Sequence, residues 1–148
     1  MLDQAIAGST QVAAKRPIVA VVDDDPAVCA SLKFSLELEG FVVRTYRDGA
    51  DILRACDLEA CDCFVIDQRM PGMNGMELID ALRRLQVPTP AILIVSQLND
   101  KLSIRAAKAA VPIVEKPLLS NALVEHIRQA CGLADVDRIA ADPSDIVR

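Results

Sequence analysis

Aromatic side chains and long apolar runs are both scarce in this sequence, and each scarcity excludes something. The 148 residues include no tryptophan, one tyrosine and three phenylalanines, so aliphatic side chains must fill any core. Residues 1–16 contain Asp3 and lack the apolar run that a signal peptide or a membrane span requires. We therefore expect a cytoplasmic protein with no membrane segment.

Basic runs and paired cysteines are also missing. The formal net charge is -5, and without a basic patch we expect no direct binding to nucleic acid. The five cysteines form an odd set with no CxxC pair, which disfavours a zinc site or a redox pair and indicates buried free thiols. They are Cys29, Cys56, Cys61, Cys63 and Cys131.

What the chain does contain is a regular alternation of apolar strands and helical segments. Hydrophobic residues make up 52% of it, and its length suits one domain rather than two. We expect a flexible leader at 1–16, one domain at 17–133 and a tail at 134–148.

The alternation predicts an α/β fold. Strands are expected at 18–22, 41–45, 63–66, 91–95 and 113–114, and helices at 26–39, 49–55, 75–85, 102–110 and 121–131. Gly40 and Gly132 directly follow predicted helices, as C-terminal capping glycines do. Asn74 directly precedes a predicted helix, as an N-cap residue does. Strands that are apolar on both faces indicate a doubly wound, five-stranded parallel sheet covered by helices on each side.

Polar residues follow four of these strands directly. Asp23, Asp24 and Asp25 follow the first strand, Asp67 the third, Ser96 the fourth and Lys116 the fifth. Doubly wound folds bind ligands outside the carboxyl ends of their strands. If the strand order is 2-1-3-4-5, the first and third strands are neighbours and three carboxylates converge.

Converging carboxylates need a cation, and hard oxygen ligands favour Mg²⁺ or Mn²⁺. A carboxylate beside such an ion is a candidate nucleophile toward a phosphoryl donor, with Ser96 and Lys116 placed to contact its oxygens. Each feature taken singly has an ordinary structural explanation. An Asp run often caps a helix, as we expect of Asp25, and Ser or Lys-Pro is common in loops. Their joint placement favours the functional interpretation.

Four segments carry a family resemblance: VVDDDPAV at 21–28, FVIDQRMPGMNGMEL at 64–78, LIVS at 93–96 and VEKPL at 114–118. With them the chain resembles the receiver domain of two-component response regulators, of the nitrogen-fixation and LuxR types, from residue 17 to 133. The resemblance implies a flavodoxin-like receiver fold with strand order 2-1-3-4-5.

The resemblance also implies roles for individual residues. Asp67 matches the phosphorylated aspartate, Ser96 the switch hydroxyl and Lys116 the phosphate-pairing lysine. The implied metal ligands are Asp24, Asp67 and the backbone carbonyl of Arg69, with Asp23 acting through water. The implied cofactor is Mg²⁺ or Mn²⁺.

The implied function is signalling rather than enzymatic. Asp67 would accept a phosphoryl group from a sensor histidine kinase or a phosphotransfer protein, with self-catalysed phosphorylation and dephosphorylation left open. The residues after Gly132 are too few for a helix-turn-helix domain, so we expect signalling through a downstream protein target, and homodimer formation is left open.

Departures from the family pattern support one alternative. Gln97 replaces the usual small residue after the switch hydroxyl, Ile113 replaces an aromatic residue, and the segment from Ser96 to Lys116 is short. Gln97 and Ile113 suit a degenerate, non-phosphorylated receiver that acts as a protein-interaction module, whereas the short segment bears on the signalling surface and not on the phosphorylation chemistry. A magnesium-dependent phosphatase is disfavoured because it would carry a second aspartate where Arg69 stands, and the single His126 suggests a surface residue.

Overall fold

The computed structural model describes residues 16–118 and 121–133. The expected tail at 134–148, and all of the expected leader except Arg16, lie outside the described residues.

Strands and helices alternate through the described residues. The strands are β1 (Ile18–Val22), β2 (Val42–Tyr46), β3 (Cys63–Asp67), β4 (Ala91–Val95) and β5 (Ile113–Glu115). The α-helices are α1 (Pro26–Leu38), α2 (Gly49–Leu53), α3 (Gly75–Arg84), α4 (Asp100–Lys108) and α5 (Ala122–Ala130), and a short 3₁₀ turn spans Leu58–Ala60. The predicted fold class is confirmed.

The five strands form one parallel sheet in the order β2-β1-β3-β4-β5. Val22, the last residue of β1, pairs with Tyr46 of β2 and with Ile66 of β3. Asp67, the last residue of β3, pairs with Ile94 of β4. The strands therefore end along the same edge, as the predicted order 2-1-3-4-5 requires.

Alternate residues of each strand face opposite layers, so the sheet is buried on both sides. Ala20, Phe64 and Leu93 pack in one core cluster with residues of α2, α3 and α4. Val21, Val65 and Ile94 pack in a second cluster with residues of α1 and α5. The two layers cover both faces of the sheet and leave its carboxyl edge as the place where polar side chains meet.

Helix α1 begins and ends as predicted from its flanking residues. The Asp25 side chain accepts a hydrogen bond from the Ala27 N–H at 2.9 Å and caps the helix start. Gly40 follows the helix with φ of +101°, a conformation that favours glycine, and its N–H donates to the Glu37 carbonyl.

Several element bounds differ from the prediction. Helix α4 begins at Asp100 rather than at 102, because the Asn99 side chain accepts the Leu102 N–H at 2.8 Å and caps the helix two residues earlier. Strand β2 is shifted by one residue, with Phe41 buried beside it. The turn at Leu58–Ala60 was not predicted.

The cysteines are free thiols, but the prediction that all are buried is wrong. Cys29, Cys61 and Cys63 are buried, Cys131 is half-buried and Cys56 is exposed. Cys56 lies in the loop after the short helix α2 rather than in a sheet or helix face, and it is left exposed by the part of the chain that the structure describes. Among the described helices, none is long and apolar enough to span a membrane.

Candidate functional site

Three aspartates meet at the carboxyl edge of the sheet. Asp23 follows β1, Asp67 ends β3, and Asp24 lies beside Asp23 in the turn before α1. One carboxylate oxygen from each lies within 4.8 Å of the others. Asp23 and Asp67 are buried, with 3% and 5% of their surfaces exposed, whereas Asp24 is exposed. The predicted convergence is therefore present, with one of the three side chains open to solvent.

Lys116 closes the other side of this cluster. Its Nζ lies 3.1 Å from Oδ1 of Asp67 and 3.9 Å from Oδ2 of Asp23. The backbone N–H of Lys116 donates to the Val95 carbonyl at 2.8 Å, which fixes the residue to the end of β4. The lysine thus bridges aspartates from two different strands.

The turn after β1 holds Asp23 in place. The Asp25 N–H donates to Oδ1 of Asp23 at 2.9 Å, and the Cys29 thiol of α1 donates to the Asp23 carbonyl at 3.2 Å. The first bond orients the carboxylate, and the second ties the backbone of Asp23 to helix α1. Asp25 therefore holds Asp23 through its N–H and caps α1 through its side chain. Only the helix cap was predicted from the sequence.

Burial makes both inner carboxylates hard to ionise. It raises the pKa of Asp23 above 3.8, and the negative charges of Asp67 and Asp24 add to the effect, while the Asp25 N–H and Lys116 oppose it. Burial also raises the pKa of Asp67 above 3.8, against the opposing effects of Lys116 and of a hydrogen bond from the Arg69 N–H. Ionising both carboxyl groups is therefore costly in this site unless a further positive charge is present.

The donor set fits a divalent cation. Three ionised carboxylates and one ammonium leave an excess of two negative charges, which one divalent ion neutralises. The donors are carboxylate oxygens, and the exposed Asp24 leaves one side of the site open to water. Hard oxygen donors and room for water ligands suit Mg²⁺ or Mn²⁺ better than they suit a softer metal.

Ser96 and Arg69 flank the cluster in different ways. Ser96 is exposed just after β4, and with Lys116 it lines an open groove of about 770 Å³ against helix α1. The Arg69 side chain is exposed, and its backbone N–H donates to the Asp67 carboxylate. The roles of the Ser96 hydroxyl and of the Arg69 carbonyl stay predictions.

One polar residue of the site was missed by reasoning from the sequence. Gln68, directly after Asp67, donates its N–H to the Ile94 carbonyl at 2.8 Å and accepts from helix α3 at both its carbonyl and its side chain. The only sequence signal was a polar residue immediately after a buried strand, and many loop residues share that feature.

Comparisons with known proteins agree with the geometry. The profile of the family described as response regulator receiver domain matches residues 19–128. The chain is 36% identical over 110 residues to the C4-dicarboxylate transport transcriptional regulatory protein DctR of Rhodobacter capsulatus, covering 72% of this chain and 56% of that protein. It is 35% identical over 127 residues to the transcriptional regulatory protein FixJ of Bradyrhizobium diazoefficiens, covering 82% and 62% respectively. The chain thus spans about three fifths of these relatives.

Solved structures show the same likeness. The FixJ-N crystal structure superposes with a TM-score of 0.70 at 30% identity, covering 80% of this chain and 95% of that one. The response regulator StyR gives 0.73 at 33% identity, covering 88% and 67%. The Vibrio cholerae chemotaxis protein CheY4, at 21% identity and a TM-score of 0.71 over 78% and 99%, bears on the fold alone. Because the family profile covers most of the chain, and the strand-end aspartates and lysine meet in one site, the chain belongs to the response regulator receiver domain family.

Proposed function

We propose that this protein is a phospho-accepting receiver of a two-component system or phosphorelay, with Asp67 as the phosphorylated residue. The observation that carries the proposal is the contact between Lys116 and Asp67 at 3.1 Å inside a cluster of three carboxylates. A lysine and a divalent cation on two sides of one carboxylate suit the transfer of a phosphoryl group, whose charge is spread over its equatorial oxygens.

The transfer is a displacement at phosphorus. A carboxylate oxygen of Asp67 forms the new O–P bond while the bond from phosphorus to the donor breaks, and the donor leaves with the electron pair. Lys116 then contacts a phosphoryl oxygen, and the Ser96 hydroxyl donates to another. Asp24, Asp67 and the Arg69 carbonyl, with Asp23 acting through water, would hold a Mg²⁺ or Mn²⁺ ion, which would supply positive charge for the phosphoryl oxygens.

The proposed donor is a phosphohistidine of a sensor histidine kinase or of a phosphotransfer protein. The proposed output is contact with a downstream protein target in the cytoplasm, carried by a domain at residues 17–133. The degenerate alternative is less well supported, because a receiver that acts only as an interaction module has no need of a buried acidic cluster paired with Lys116.

A phosphodonor assay tests the proposal. Incubation with acetyl phosphate and Mg²⁺ should add the mass of one phosphoryl group to the intact protein, and chelation of the metal should prevent it. Asp67→Asn should abolish the mass shift. Asp62→Asn is a matched control, because Asp62 lies at the opposite end of the same strand, where its carboxylate accepts the Ile18 N–H at 2.8 Å; this variant should label like the wild type. Undiminished labelling in Asp67→Asn would refute the assignment.

A further inference from the structure

The loop between β3 and α3, residues 68–74, is closed at its base by one residue. The Gln68 backbone carbonyl accepts the Gly75 N–H at 3.0 Å, and Oε1 of the Gln68 side chain accepts the Met76 N–H at 2.9 Å. On the opposite side, the Gln68 N–H donates to the Ile94 carbonyl of β4 at 2.8 Å. Gln68 is therefore bonded to the neighbouring strand and to the helix that follows the loop.

These bonds complete the N-terminus of α3. The first N–H groups of a helix have no partner within it, and here Gln68 accepts those of Gly75 and Met76. The third belongs to Glu77, which donates to the Asn74 side chain at 2.9 Å while its own carboxylate accepts the Asn74 N–H. The first N–H groups of the helix are therefore paired in two ways, by Gln68 and by the Asn74 cap.

The helix start also packs directly on the strand end. A Cβ atom added to Gly75 would lie 2.8 Å from the Asp67 carbonyl oxygen and 3.0 Å from Cα of Gln68, closer than such contacts allow. The backbone of residues 67 and 68 is thus held against a buried helix turn with no space between them. A shift of Gln68 would be transmitted to both of its neighbours in the chain.

Those neighbours are the residues that the site depends on. Asp67 supplies the carboxylate that contacts Lys116, and the Arg69 N–H donates to that carboxylate. We propose that Gln68 is a positioning residue: its side-chain bond to Met76 holds the backbone of Asp67 and Arg69 in the geometry that binds the divalent cation. This inference rests on the proposed function, since it concerns the same cation site.

Three variants separate positioning from helix stability. Gln68→Met keeps the length of the side chain and removes the acceptor for the Met76 N–H. Gln68→Glu keeps an acceptor oxygen at the same place. Asn74→Ala removes the other cap of the same helix and leaves the backbone bonds of Gln68 untouched.

The experiment titrates each metal-free protein with MgCl₂ and follows amide chemical shifts. Gln68→Met should bind Mg²⁺ about tenfold more weakly than the wild type, and the Met76 amide should exchange faster with deuterium. The rate of labelling by acetyl phosphate should recover when Mg²⁺ is raised to saturation, so the effect falls on metal affinity. Gln68→Glu should restore the affinity, and Asn74→Ala should lower the melting temperature without weakening Mg²⁺ binding.

Two results would overturn the inference. One is wild-type Mg²⁺ affinity in Gln68→Met despite faster exchange at Met76. The other is an equal loss of affinity in Asn74→Ala, which would assign the effect to helix stability. A wild-type protein that showed no Mg²⁺-dependent shifts would instead contradict the proposed function, so the two failures are distinguishable.

Discussion

The Lys116 ammonium lies closer to Asp67 than to Asp23, at 3.1 Å against 3.9 Å. Lys116 therefore compensates the charge of Asp67 more closely than that of Asp23, and Asp24 lies on the side of the cluster that is open to solvent. Under the proposed function, Lys116 would contact the phosphoryl group and would also compete with a divalent cation for the negative charge of Asp67, so its loss should affect the two activities in opposite directions.

Replacing Lys116 should affect labelling and metal binding in opposite directions. Lys116→Met should slow labelling by acetyl phosphate about 100-fold, because a donor to the phosphoryl oxygens is lost. The same change should tighten Mg²⁺ binding, because a competing positive charge is removed. Lys108→Met, which makes the same charge change at an exposed position of α4, should alter neither. Parallel losses of both activities in Lys116→Met would contradict this assignment.

The metal-free protein should become less stable as pH rises, through Asp23. Its pKa is raised above 3.8 in the folded state, so the folded protein keeps that proton to higher pH than the unfolded chain does. The stability that the protonated Asp23 contributes is fully present below pH 3.8 and is lost as pH rises through the pKa of Asp23 in the folded protein.

Asp23→Asn tests this linkage, because the amide oxygen can still accept the Asp25 N–H. In chelator the variant should have a higher free energy of unfolding than the wild type at neutral pH, and the difference should shrink as pH falls toward 3.8. Adding Mg²⁺ at about 100 times its Kd should stabilise the wild type by about 2.7 kcal/mol and the variant by less. A difference independent of pH would count against the account.

Some residues of the site could be predicted from the sequence and others could not. Asp23, Asp67 and Lys116 could be placed because each directly follows an apolar run, and parallel strands end at a common edge. Helix α1 could be placed because Asp25 and Gly40 are local signals. The role of Gln68 could not, since its partner Met76 lies eight residues away across a loop of irregular backbone, where no periodicity applies. The exposure of Cys56 could not either, because it depends on which loop is left uncovered.

The response to phosphorylation should be concentrated between residues 97 and 101. Ile113 is half-buried, pairs with Leu93 and packs against the core cluster of α2, α3 and α4, and a β-branched side chain is stiff at χ1. Residues 97–99 form an exposed loop, and residues 100 and 101 begin α4. Beryllofluoride, which mimics an aspartyl phosphate, should therefore shift the amide signals of 97–101 most, and the largest shifts at Ile113 with 97–101 silent would refute this prediction.

Thiol reactivity should follow the burial of the five cysteines. Cys56 is exposed and should react first with iodoacetamide at neutral pH. Burial raises the pKa of Cys131 to about 11, and Cys29, Cys61 and Cys63 are buried with raised pKa values. Peptide mass mapping should find one fast-reacting site, which Cys56→Ser removes. Equal rates at Cys56 and Cys131 would contradict a dependence of thiol reactivity on burial.

Reductive trapping of the phosphorylated protein tests the central claim most directly. Borohydride reduces an aspartyl phosphate to homoserine, so the modified residue can be located by peptide mass after labelling with acetyl phosphate and Mg²⁺. We predict homoserine at position 67 alone, and none when the metal is chelated. Homoserine at position 23 or 24, or a phosphoryl group retained on Ser96 or His126 after reduction, would contradict it.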